Sequence, residues 1–247
     1  MTPSNKPQRR GIYLLPNLFT TAGLFAGFYA IIAAIRGDFE SAAIAIFIAM
    51  IMDGFDGRIA RMTNTQSDFG AEYDSLADMV SFCLAPALVI YQWALLDMGK
   101  VGWMAAFIYA ACGALRLARF NTQVSIADKR YFQGLASPAA AACLAGWVWV
   151  CATYPVDFIL ASSFALALTL ICGILMVSTL RYHSFKELDL KGKVPFVFIL
   201  ILVLVFALIA IDPPLILFVG FLAYAISGPV LTLTKLRQHK TVRQQDK

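Results

Sequence analysis

An all-α, polytopic membrane bundle of about eight transmembrane helices, with both termini cytoplasmic, is predicted by three observations. The chain is 60% hydrophobic and only 14% charged, with a mean hydropathy of +0.73, whereas a soluble domain carries about 25% charged residues. It divides into eight apolar runs near the length needed to cross about 30 Å of hydrocarbon at about 1.5 Å per residue. Its positive charge gathers on one side of those runs, as short cytoplasmic loops require.

The runs lie at approximately 14–35, 39–61, 72–96, 101–120, 136–153, 156–178, 194–211 and 214–234. The first follows Lys6, Arg9 and Arg10 but is too long for the core of a secretory signal, so it reads as a span. The outer turns are short and punctuated by Gly or Pro: Arg36-Gly37-Asp38, Asp97-Met98-Gly99-Lys100, Tyr154-Pro155-Val156-Asp157 and Asp212-Pro213-Pro214. The longer connections, at about 62–71, 121–135 and 181–193, fall on the other side with the polar residues. Of the 20 Lys and Arg residues, only Arg36 and Lys100 lie outside in this arrangement. The net charge of +5 is therefore a signature of topology and not of nucleic-acid binding.

Small residues such as Ala42, Ala43 and Ala45, and the run Ala139 to Ala142, permit close helix approach within the membrane. Tyr91, Trp93, Trp147 and Trp149, near span ends, are expected as interfacial anchors. The five cysteines all sit in apolar segments without a C-x-x-C pair and are expected to pack as small hydrophobes.

Against this background four carboxylates stand out. Asp53 and Asp56, three residues apart, share a helix face at the cytoplasmic end of the second span. Asp74 and Asp78, four apart, do the same at the start of the third. A short loop makes the two spans antiparallel neighbours, so the acids converge. Charges at membrane depth are costly and mark function by default. Like charges held together take up protons or bind cations, and oxygen donors without nearby His or Cys suit Mg²⁺ or Mn²⁺. Two such cations would neutralise four carboxylates and suit phosphoryl-type transfer.

The intervening residues fit phosphate handling. Gly54, Gly57 and Gly70 leave the backbone open to a bulky ligand, Arg61 can clamp a diphosphate, and the hydroxyl of Ser67 can meet a phosphate or base. The alternative for the acids is a set of interhelical bonds with Arg58 and Arg61.

The pattern D-x-x-D-G-x-x-A-R, eight residues, then G-x-x-x-D-x-x-x-D resembles the signature of the CDP-alcohol phosphotransferases, with Asp53, Asp56, Gly57, Ala60, Arg61, Gly70, Asp74 and Asp78 at the fixed positions. The resemblance implies an integral membrane enzyme that moves the phosphatidyl group of CDP-diacylglycerol to an alcohol and releases CMP. It implies metal ligation by Asp53, Asp56, Asp74 and Asp78, with Asp78 also the base, and donor contacts from Gly57, Arg61, Ser67 and Gly70. Pro16-Asn17-x-x-Thr20 is similar to a family motif near the cytidine end, which adds Asn17 and Thr20. The implied domain is single, 1–247, with a catalytic core at about 12–178 and two extra spans at about 194–234. A homodimer, a bacterial-type inner membrane and an active site facing the cytoplasm are implied as well.

The acceptor is read from a second patch. Arg116-Leu-Ala-Arg119-Phe-Asn121 and Phe132-Gln-Gly134-Leu-Ala-Ser137-Pro138 resemble the branch that uses L-serine, although Ala136 stands where relatives often carry Pro. A serine carboxylate needs a cation, and Arg116, Arg119, Lys129 and Arg130 are the candidates. The same chemistry on glycerol 3-phosphate or inositol phosphate is the near alternative. An ion-coupled transporter is a more distant one and predicts acids near the bilayer midplane.

Overall fold

The computed structural model describes residues 14–63, 67–123, 131–183 and 196–245. Helices occupy each of the eight predicted segments: α1 (Leu14–Ile35), α2 (Phe39–Thr63), α3 (Asp68–Met98), α4 (Lys100–Gln123), α5 (Ser137–Thr153), α6 (Phe158–Val177), α7 (Phe196–Ile211) and α8 (Pro213–Gln245). Among the described residues, five of them (α1, α3, α4, α6 and α8) contain stretches long and apolar enough to cross a membrane. α2 is long but carries the acids, while α5 has 17 residues and α7 16.

The fold is all-helical as expected, with one short ladder between its connecting segments. Tyr131–Gln133 (β1) pairs antiparallel with Arg181–His183 (β2), in the register Tyr131 to His183, Phe132 to Tyr182 and Gln133 to Arg181. Three-residue strands leave no periodicity to read, so the sequence could not announce them.

Local chemistry explains the helix ends. Gly37 turns the chain at φ 78°, where a side chain would be strained. Asp38 then opens α2, its Oδ1 accepting the Ser41 N–H at 3.1 Å. Ser67 caps α3, its Oγ accepting the Gly70 N–H at 3.0 Å. That cap starts the helix at Asp68, four residues before the hydrophobic run begins at 72.

α3 is not uniform. It is α-helical over Asp68–Asp78, widens to a π-helix over Met79–Leu84, resumes over Ala85–Ile90, widens again over Tyr91–Leu95 and closes in a 3₁₀ turn, Leu96–Met98. The first wide turn directly follows Asp78, a position where such distortions often serve function. Pro86 has no N–H to offer the Phe82 carbonyl, and the fully buried Tyr109 of α4 donates its hydroxyl there at 3.0 Å. The same device recurs in α8. Pro229 cannot donate to Ala225, whose carbonyl accepts the hydroxyl of buried Tyr182, from β2, at 3.0 Å.

The core is built from small residues. Ala26, Ala30, Ala33 and Ala34 of α1 and Ala42, Ala43, Ala45 and Ala49 of α2 are all buried, and the two helices pack along each other. Ala139 to Leu144 of α5 are 5% exposed or less, and this helix packs against α2, α3, α6 and α8. Cys83, Cys143 and Cys172 are buried, and all five thiols are free. Trp147 turns inward rather than anchoring at an interface: its Nε1 donates to the Ala161 carbonyl at 3.1 Å, and its ring meets Phe164 and Phe218 at 4.5 and 5.3 Å. The described side chains of α7 from Val203 to Phe206 are 43–65% exposed, a surface suited to lipid.

Candidate active site

α2 and the first turns of α3 both pack against α1. Helical spacing puts Asp53 and Asp56 on the α2 face that meets Asp74 of α3. One carboxylate oxygen from each of these three residues lies within 4.8 Å of the others. Asp78 is one turn further along α3 and lines the same small cavity of about 10 Å³, with Thr20, Gly23, Ala49, Ala77, Ser81 and Phe82. The expected convergence of four acids is thus three at ligand distance and a fourth in the wall.

α1 is pinned over this cluster. The buried Thr20 Oγ1 donates to Asp56 Oδ2 at 2.8 Å, with Pro16 O also in range at 3.1 Å. Ser81 Oγ in the wide turn of α3 donates to Gly23 O at 3.1 Å, and Thr21 Oγ1 lies 2.9 Å from the Tyr73 hydroxyl. Thr20, expected at the donor lipid, is therefore the residue that fixes the Asp56 carboxylate, which is only 5% exposed. Its place one helical turn past Pro16 is the signal that could have revealed the contact.

Three carboxylates this close repel by on the order of 3 kcal/mol per ionised pair at an effective dielectric of about 20. Burial removes the water that would otherwise relieve them. Asp74 Oδ1 is buried without a hydrogen-bond partner. A buried acceptor left open, inside an all-oxygen donor set, fits a hard divalent cation.

The predicted donor-lipid residues flank the cluster. Arg61, exposed on α2, brings its Nη1 to 3.9 Å from where a Cβ on Gly57 would sit, and nothing lies within 4 Å of that position on Gly54. At Gly70 a Cβ would stand 3.1 Å from Ser67 Oγ and 3.5 Å from Asn17 Oδ1. Asn17, Ser67 and Gly70 are thus neighbours where α3 begins below α1.

The basic candidates separate. Arg116 is 8% exposed; its Nη1 donates to Ser137 Oγ at 3.0 Å, while its Nε is buried without a partner. It lies close enough to Asp78 for the two to interact electrostatically. Arg119 is engaged by backbone carbonyls. Nη1 donates to Val177 O at 2.9 Å, and Nη2 is shared among the carbonyls of Met176, Gln133 and Ser178 at 3.2 to 3.4 Å. It closes the C-terminus of α6 onto β1, satisfying carbonyls that the helix end leaves bare. Asn121 exchanges hydrogen bonds with Ser75, next to Asp74, at 3.0 and 3.3 Å. Lys129 and Arg130 lie outside the described residues.

A helical fold with membrane-length apolar helices and an all-oxygen carboxylate cluster fitted to a divalent cation is an arrangement suited to a metal-assisted transferase of the membrane. A family model described as CDP-alcohol phosphatidyltransferase matches residues 13–177, and the chain belongs to that family, as an enzyme of phospholipid biosynthesis. Its curated relatives include proteins named CDP-diacylglycerol–serine O-phosphatidyltransferase. That of Helicobacter pylori strain J99 is 36% identical over 228 residues, covering 91% of this chain and 94% of the relative. That of Bacillus subtilis strain 168 is 35% identical over 176 residues, 70% of this chain and 92% of the relative. That of Mycobacterium tuberculosis strain H37Rv is 43% identical over 150 residues, 57% and 52% of the two chains.

Proposed function

We propose that this protein transfers the phosphatidyl group of CDP-diacylglycerol to the hydroxyl of L-serine, releasing CMP and forming phosphatidylserine. The observation that carries the reading is the cluster of Asp53, Asp56 and Asp74, with the open Oδ1 of Asp74. The names of the relatives support serine as acceptor.

Asp53, Asp56, Asp74 and Asp78 would hold two divalent cations, Mg²⁺ or Mn²⁺. Bound there, the cations would supply charge stabilisation for the transferring phosphoryl group and for departing CMP. Arg61 clamps the diphosphate, and Gly57 and Gly70 let it approach the backbone. Asn17 and Ser67 stand at the cytidine side, and Thr20 orients Asp56. Arg116 holds the serine carboxylate through the donors that Ser137 leaves free. The serine oxygen attacks phosphorus in line as Asp78 takes the hydroxyl proton, and the bond from phosphorus to the CMP oxygen breaks.

The chain in this reading has eight spans with both termini and the active site on the cytoplasmic side of a bacterial-type inner membrane. The one-sided distribution of Lys and Arg supports it. The acids sit in the C-terminal half of α2 and the N-terminal half of α3, toward the side where Lys and Arg gather, which favours an enzyme over an ion-coupled transporter. The homodimer implied by the resemblance is tested by native mass spectrometry in detergent, with two chains as the expected result.

The deciding assay supplies purified protein with CDP-diacylglycerol, Mg²⁺ or Mn²⁺, and serine, glycerol 3-phosphate or inositol phosphate in turn, and follows CMP. Serine is expected to drive release and Asp78→Asn to abolish it. No CMP with serine overturns the acceptor, and full release by the variant overturns the role of the base.

A further inference from the structure

α5 opens with Ser137 and Pro138, and its first turn is buried: Ser137 and Ala140 have no exposed surface and Ala139 is 5% exposed. Ala136 stands at the N-cap, and among the described residues no side chain caps the turn. The first N–H groups of a helix have no partner within it, and together with the helix dipole they favour an anion. Pro138 has no N–H, which leaves Ser137 and Ala139 as the bare donors of the first turn. Arg116 of α4 meets this turn. It is 8% exposed, and its Nη1 donates to Ser137 Oγ at 3.0 Å. A guanidinium takes a carboxylate side-on along the edge formed by Nε–H and Nη2–H. Ser137 engages Nη1 and leaves that edge clear, and among the described residues the buried Nε has no partner. The register of α4 on α3 sets the height of this edge. A Cβ on Gly113 would run into Cys83 Sγ, and Asn121, eight residues on, bonds Ser75, eight residues back. Arg116 shares the face of Gly113 and stands level with Val80, two residues from Asp78 along α3, about 3 Å in axial height. α5 packs against the same wide turn of α3 and against α2.

We propose that Arg116 and the start of α5 form one carboxylate site for the acceptor, with Ser137 as its positioning residue. The Ser137 hydroxyl holds Nη1 and so keeps the Nε edge presented, while the first turn of α5 adds its N–H groups and positive end. The proposal rests on the reading of Arg116 as acceptor-binding. A buried N–H without a partner is costly, and a two-oxygen anion bound along this edge answers it. The charge and the planar fork select an alcohol that bears a carboxylate over a neutral one of the same size. In the proposed reaction Arg61 of α2 holds the diphosphate of the donor, so loss of the Ser137 hydroxyl falls on the acceptor alone.

The test measures KM for serine, KM for CDP-diacylglycerol and kcat in Ser137→Ala and Ser137→Thr of the full chain in detergent. Ser137→Ala leaves Nη1 without its acceptor and is expected to raise KM for serine about tenfold, the scale of one hydrogen bond to a charged group, with KM for the lipid and kcat within about twofold. Ser137→Thr keeps the hydroxyl and is expected to keep the wild-type KM for serine; where its added methyl prevents folding, Ser137→Ala decides alone. An unchanged KM for serine in Ser137→Ala overturns the proposal, as do equal shifts in both KM values. A second measurement needs no variant. In wild-type protein 3-hydroxypropionate, which keeps the carboxylate and lacks the ammonium, is expected to compete with serine more tightly than ethanolamine, which lacks the carboxylate. An equal or reversed order overturns the carboxylate site. Wild-type protein that releases CMP with glycerol 3-phosphate and not serine overturns the acceptor reading, whereas protein that uses serine with or without the Ser137 hydroxyl overturns only the role of Ser137.

Discussion

Gly27→Ala is a single methyl placed where α1 crosses the wide turn of α3. A Cβ built on Gly27 would lie 2.6 Å from Ser81 Oγ, 2.7 Å from Ser81 Cα and 2.9 Å from Ser81 Cβ. Non-bonded carbon atoms settle at about 3.5–4.0 Å, so the two backbones must part by roughly 1 Å, and no rotamer of Ser81 relieves the clash with its main chain. The helices that separate are those that close the carboxylate cavity, α1 through Thr20 and Gly23, α3 through Asp74, Asp78 and Ser81. Overpacking of this kind costs about 1–3 kcal/mol of stability. A 1 Å displacement of a catalytic group costs on the order of 10²-fold in rate. The expected outcome is a folded protein whose melting temperature falls modestly while CMP release at saturating substrates falls about a hundredfold. Ser81→Gly in the same chain removes the clashes with Oγ and Cβ and is expected to restore part of the rate. Gly27→Ala with wild-type turnover would refute the inference that α1 and the wide turn of α3 are held in register for the site.

Thr20→Val keeps the shape at α1 but leaves the buried Asp56 Oδ2 without its 2.8 Å donor; the Mg²⁺ or Mn²⁺ concentration for half-maximal CMP release is expected to rise about 10- to 100-fold. Arg119→Lys cannot span the carbonyls of Met176, Val177, Ser178 and Gln133. It is expected to cost about 1–3 kcal/mol in thermal unfolding while leaving KM for serine unchanged, the opposite pattern from Arg116→Lys. Asp38 is held below the ordinary carboxylate range by hydrogen bonds from the Ser41 hydroxyl and N–H. Because its pKa is depressed on folding, its stabilisation of the α2 start is present above about pH 4 and lost as pH falls through the lowered value. Asp38→Ala is expected to flatten that part of the melting-temperature profile, and an unaltered profile would contradict it.

The eight helical segments were legible because their apolar runs are long and their punctuation is strong. The acids were legible because helical spacing alone sets which faces Asp53, Asp56, Asp74 and Asp78 present. What could not be read depends on partners far away in the chain. Arg119 and Arg116 are equally good cations in a sequence, and only the bare carbonyls at the end of α6 and the hydroxyl of Ser137 assign them different work. Trp147 near a span end carries the same letters whether it faces lipid or the Ala161 carbonyl. The wide turns of α3 leave its hydrophobicity unchanged, so periodicity passes over them. Pro86 and Pro229 were the available clue: each bares a carbonyl inside the membrane, and a donor had to come from somewhere.

The alanine run of α5 reaches beyond packing. With Ala139 to Ala142 at 5% exposure or less and helices on several sides, α5 along this run is little more than backbone in cross-section. Its thickness serves as a gauge that sets how far α2 stands from α8. An added methyl anywhere on this run has no lipid to expand into and must push whole helices apart. Selection on catalysis would then act on residues with no chemistry of their own, and α5 should tolerate change less than the exposed surface of α7.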